Sequence, residues 1–66
     1  MREQIQRAFC RLPAKLRVAA VLALVEERPY QEIADALGTS VGAVKLRVFR
    51  AVRRLRKQLN QMGVHP

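Results

Sequence analysis

Residues 30–59 read YQEIADALGTSVGAVKLRVFRAVRRLRKQL, and the rest of the chain is organised around them. Ile33, Ala34 and Leu37 share one face of a short amphipathic helix. Gly38 closes that helix, as a residue free to take positive φ. Thr39 and Ser40 follow where an N-cap is needed, and a longer helix is predicted from about Val41. Two helices joined by so short a Gly-containing turn make a helix-turn-helix, whose second helix enters the DNA major groove.

The second helix carries Val41, Val44, Val48, Val52, Leu55 and Leu59 at spacings of three or four, one stripe facing a core. At about 100° per residue the opposite face carries Leu46, Arg50, Arg53 and Lys57, flanked by Lys45 and Arg47. From Thr39 onward there are seven Lys or Arg and no acid; before Thr39 there are six against five acids. Of the net charge of +8, +7 therefore belongs to the second half of the chain. A solvated helix face is often basic, but one that follows this turn is an electrostatic footprint for a phosphate backbone. Small Ala34 fits a close crossing of the two helices.

Working outward, 66 residues make a single domain with a marginal core, one that buries about 60% of the unfolded surface. Such a chain has no room for a catalytic cleft with supporting shells. A hydrophobic fraction of 50% argues against disorder, and a pI near 11.4 points to an anionic partner. The apolar run from Val18 to Val25 is too short to span a bilayer, and no signal peptide is evident. Cys10 stands alone and His65 is the only histidine, so neither a disulfide nor a metal site is expected. Cys10 is expected to be a small, partly buried apolar residue in a chain that works in a reducing cytoplasm. No phosphate loop, carboxylate pair or nucleophile–histidine arrangement is present, and the chain is read as non-enzymatic, with no cofactor.

In chain order, Ile5, Ala8, Phe9 and Leu12 predict a first helix of about three turns that caps the core. Pro13 breaks it and starts a second helix, from Ala14 to about Glu27. Leu16, Ala20, Ala23, Leu24 and Glu27 lie along one side of this helix, with Val18, Val21, Leu22 and Val25 along the other. A helix apolar nearly all round is either central or partnered, so the Val18, Val21, Leu22, Val25 side is either core filling or a protein-binding surface. Pro29 starts the third helix, whose amino terminus places Tyr30 and Gln31 where a support helix meets a phosphate. The Tyr30 ring packing in the core is the alternative. Gly42, inside the first turn of the long helix, would suit close approach of the backbone to DNA. Phe49, at the edge of the basic face, is expected to pack on the bundle, with a thymine methyl or a protein partner as alternatives. The chain from Gln58 to Pro66 loses apolarity, and residues 60–66 are expected to be a flexible tail in which His65 has no role. The fold class expected is all-α: a small bundle of about four helices ending in a helix-turn-helix with a long recognition helix.

L-P-A-K-L-R at residues 12–17 and P-Y-Q-E-I-A-D-A-L-G-T-S-V-G-A-V-K-L-R-V-F-R-A-V-R-R-L at residues 29–55 resemble region 4 of bacterial sigma factors of the extracytoplasmic-function group. The resemblance covers about Phe9 to Leu59. Its S-x-G-x-V-K-x-R-x-x-R-A portion is specific, whereas I-A-x-x-L-G occurs in many helix-turn-helix proteins. The resemblance implies a domain that binds the minus-35 element of a promoter while docked on the β-subunit flap of RNA polymerase. Carried over by position, Lys45, Arg47 and Arg50 match basic positions of the motif and would enter the major groove, and Ser40 matches the serine at the helix start. Arg53, Arg54 and Lys57, with Tyr30 and Gln31, would grip phosphates. Thr39, Val41, Ala43, Leu46 and Phe49 complete the expected DNA-contacting set. Two of these depart from the family: Ala43 stands where Thr is frequent, and Leu46 where Ser is frequent. Both lose a hydroxyl, and Leu46 could instead touch a thymine methyl.

The resemblance further implies a chain excised from a longer factor, since the family's region 2 is absent, and an anti-sigma factor as a partner for the Val18–Val25 run and the flank of the recognition helix. Three other readings compete. A response-regulator effector domain uses a similar motif but dimerises on paired half-sites. A protein-interaction fragment would serve mainly as the target of an inhibitor or of polymerase. A basic amphipathic helix on a membrane would need large interfacial aromatics, and the chain has no Trp.

Overall fold

The structure, a computed structural model, describes residues 2–63. Four α-helices follow one another: α1 Arg2–Cys10, α2 Ala14–Ala20, α3 Tyr30–Leu37 and α4 Val41–Gln61. No strand occurs among the described residues. At 1.5 Å per residue, the 21 residues of α4 run about 32 Å, nearly the full 36 Å length of the molecule. The other helices pack along it, α1 and α2 on one stretch and α3 on the stretch nearer its start.

Local chemistry sets each boundary. Pro13 and Pro29 precede α2 and α3 with ψ of 147° and 144°, extended values from which a helix starts. Gly38 ends α3 at φ 65°, in the left-handed region. The Thr39 N–H donates to the Ala34 carbonyl at 2.9 Å and the Gly38 N–H to Asp35 at 3.4 Å, the paired bonds of a Schellman closure. Of the two candidate caps, Ser40 takes the role: its Oγ accepts from the Ala43 N–H at 3.1 Å. Ser40→Ala is expected to cost about 1 kcal/mol. In a domain this small that lowers Tm by roughly 4–8 °C in a thermal melt followed by circular dichroism. An unchanged Tm would show that the Ala43 N–H finds another partner.

The second helix departs from the expected span of Ala14 to Glu27. Its α-helical part ends at Ala20, and Val21–Val25 continues as a π-helical turn. The Glu26 N–H reaches the Val21 carbonyl at 3.0 Å, and the Arg28 N–H reaches Leu22 at 3.0 Å. The cause lies just beyond. Pro29 disfavours helix at Arg28, Glu27 turns left-handed at φ 54°, and the wide turn satisfies carbonyls that an α-helical end would leave unpaired. Arg28 then bridges the connector to α3, donating to Glu26 at 2.8 Å and to Glu32 at 2.5 Å. Glu26 first, then Glu32, raises the Arg28 pKa above its ordinary value.

The core has two parts joined by α4. One holds Ala8, Leu12, Leu16, Ala20, Ala51 and Leu55, with Phe9 and Leu59 packed against it. The other holds Ala19, Ile33, Ala34, Val44 and Val48, with Leu22, Ala23, Tyr30, Leu37, Val41 and Val52 around it. The α4 stripe faces inward as its periodicity predicts, but the stripe includes Ala51, which is fully buried. Ala34 is 1% exposed at the crossing of α3 and α4.

Four expectations change here. Cys10 is exposed rather than partly buried, because it lies about 200° around α1 from the buried Ala8. Ile5 belongs to the α1 stripe yet stays 40% exposed, at the end of α1 beyond Phe9, which already packs at the edge of the cluster. Phe49 does not pack on the bundle: it is 58% exposed. The chain past Gln58 does not fray at once. Residues 60 and 61 belong to α4, where Leu59 packs on the first cluster and Gln58 accepts from Arg11 at 2.8 Å. Val64, His65 and Pro66, the remainder of the expected tail, lie outside the described residues. Among the described residues, no helix is long and apolar enough to cross a membrane and no group of three or more His, Cys, Asp or Glu could hold a metal ion.

Candidate nucleic-acid interface

The outward face of α4 follows from its inward one. With Val44, Val48, Ala51 and Leu55 buried, helical geometry turns Leu46, Arg50, Arg53 and Lys57 to solvent. Lys45, Leu46, Phe49, Arg50, Arg53, Arg54 and Lys57 are all exposed, and Arg47 on the flank is half-buried. Leu46, Phe49, Arg50, Arg53 and Arg54 line one shallow concavity that reaches Leu16. Arg53 and Arg54 continue into a second, with Lys57, Gln58 and Gln61. The basic face is thus one continuous strip along most of the molecule. The Arg53 guanidinium sits 5.8 Å from the Phe49 ring centroid, a cation–π contact that steadies both side chains at the surface.

At the start of α4 the geometry sorts the expected contact residues. Ser40 is exposed and its Oγ is occupied as an acceptor, which leaves the hydroxyl hydrogen free to donate outward. Thr39 and Ala43 are half-buried, and Val41 packs against the second cluster. Gly42 is exposed, and an added Cβ would meet only Ser40 Oγ, at 3.9 Å. Packing within the described residues therefore does not require glycine at this position. On α3 the two expected residues differ. The Tyr30 ring packs against the second cluster, so its body is structural. Gln31 is exposed, with its amide donating to Asp35 Oδ1 at 3.0 Å, which leaves the second amide hydrogen and the carbonyl open.

The apolar side of the second helix is also sorted. Val18 is 42% and Val25 65% exposed, and Val21 is half-buried. Leu22 packs against the second cluster and leaves this surface. Leu24, placed by periodicity on the same side as Leu16 and Ala20, which are buried, is 44% exposed. The π-helical turn shifts the phase of every residue after Ala20, a shift that a regular 3.6-residue period could not anticipate.

The sequence matches the family model described as Sigma-70, region 4, over residues 2–55. It is 40% identical over 58 residues to the ECF RNA polymerase sigma factor SigW of Bacillus subtilis, an alignment that covers 88% of this chain and 31% of SigW. It is 38% identical over 55 residues to the ECF RNA polymerase sigma factor SigE of Mycolicibacterium smegmatis, covering 83% of this chain and 21% of that protein. The chain therefore spans less than a third of the length of these curated relatives.

Proposed function

The chain belongs to the sigma-70 region 4 family, and from that premise we propose that it recognises the minus-35 element of bacterial promoters. The observation that carries the proposal is the continuous basic strip on the solvent side of a capped second helix of a helix-turn-helix. α4 enters the major groove from its amino terminus, with Lys45, Arg47 and Arg50 directed at base edges. Arg53, Arg54 and Lys57 hold phosphates and set register. Ser40 and Gln31 add polar contacts from the turn and from α3. The body of Tyr30 supports α3 and leaves only its edge for DNA. The side formed by exposed Val18 and Val25 with half-buried Val21 supports a second contact, with the β-subunit flap of RNA polymerase, and the same surface suits an anti-sigma factor. The domain acts in the bacterial cytoplasm, where promoter and polymerase meet.

The test is fluorescence anisotropy on a duplex pool randomised over about ten base pairs, at several salt concentrations. Enrichment of one short asymmetric site, with random DNA bound much more weakly, is expected. Lys57→Ala is expected to weaken all sequences alike and to reduce the slope of log K against log salt by ~0.9, the share of one phosphate. Salt-sensitive binding with no enriched site would mean that the strip only grips phosphates, and the promoter reading would fall.

A further inference from the structure

Leu46 sits in the basic strip and belongs to neither core cluster. It is 46% exposed, one turn before Arg50 and three residues before Phe49, which is 58% exposed. The two are the large apolar side chains exposed on the outward face of α4, and they share one concavity with Arg50, Arg53 and Arg54. A leucine pressed against polar base edges would strip them of water and return no hydrogen bond. The floor of the major groove offers one apolar group, the C5-methyl of thymine. We infer that Leu46, with Phe49 beside it, is a specificity determinant that selects a base pair carrying a pyrimidine C5-methyl within the bound site. Charge argues for DNA as the occupant of this patch: from Thr39 to the carboxyl end there are seven Lys or Arg and no acid.

The inference rests on the DNA-binding reading, and the test separates the two. The enriched duplex is resynthesised with each thymine replaced in turn by deoxyuridine, which removes the methyl and keeps the pairing. One position is expected to weaken binding about fourfold, the worth of burying one methyl. Replacing cytosine by 5-methylcytosine in a variant site with C·G at that position is expected to recover the loss. In Leu46→Ala and Leu46→Ser the deoxyuridine series is expected to become flat. Leu46 is exposed, so both variants should melt with the parent. A flat series in the parent protein, on a site that is still selectively bound, would overturn the inference and leave the promoter reading intact. A methyl effect that persists unchanged in Leu46→Ala would overturn the assignment to Leu46. A pool with no enriched site would remove both.

Discussion

Arg50→Ala is expected to weaken binding to the enriched site by about 5- to 150-fold while changing binding to random DNA only a few-fold. The range is the 1–3 kcal/mol of one good bidentate contact to a base. Arg50 lies on the outward side of α4, about 160° around the helix from the buried Val48. No ion pair within the described residues holds it, so its fork is free to meet a guanine edge. Arg50→Lys is not expected to restore selectivity, because an ammonium cannot make the paired, planar contact. The measurement is anisotropy on two duplexes, enriched and random, at one fixed salt concentration. Equal weakening on both would make Arg50 a phosphate contact and move base reading to Lys45 and Arg47. The fold is not at stake: Arg50 is exposed and the variant should melt with the parent.

Ile33→Ala acts on the other side of the same motif. Ile33 is fully buried and packs in one cluster with Ala19, Ala34, Val44 and Val48, so a single side chain ties α3 to both α2 and α4. Truncating a buried isoleucine costs about 2–5 kcal/mol, from lost burial and from the cavity left behind. A domain of 66 residues is stable by only about 3–10 kcal/mol in all. The variant is therefore expected to lose most of its stability, visible as a large fall in the urea midpoint followed by circular dichroism. Its DNA binding should fall on every sequence alike, because fewer molecules are folded, unlike the selective loss at Arg50. A midpoint shift worth less than about 1 kcal/mol would mean that the neighbours of Ile33 close over the gap, and that α3 is not pinned by this residue.

The helix-turn-helix was legible because its signals are local. Gly38 and Ser40 act through their own backbone within one turn of chain, and the Val41–Leu59 stripe needs only the helical period to announce its inner face. The outward placement of Arg50, Arg53 and Lys57 follows from the same period, and so does the exposure of Cys10, about 200° around α1 from the buried Ala8. The family resemblance at residues 12–17 and 29–55 was legible for the same reason, and the family match over residues 2–55 agrees with it. Other features were set by packing partners far away in the chain. Ala51 looks like any helix alanine until α1 and α2 close over it. The Tyr30 ring and Leu22 join the second cluster only because α3 and the π-helical turn bring them there, and Leu24 is turned out by that same change of pitch. Phe49 looks like core by composition and is surface by geometry: it stands at the rim of a shallow concavity that reaches Leu16 of α2 but does not cover it. The helix-turn-helix, its Gly38 closure and Ser40 cap, and the basic sign of the outward face of α4 could be read from the chain alone, because each depends on residues within a turn or two of one another, whereas the end of α2 at Ala20 could not. Only the tertiary structure decided which apolar residues are buried and which are left for a partner, since burial depends on the atoms that other elements bring and not on the residue's own preference.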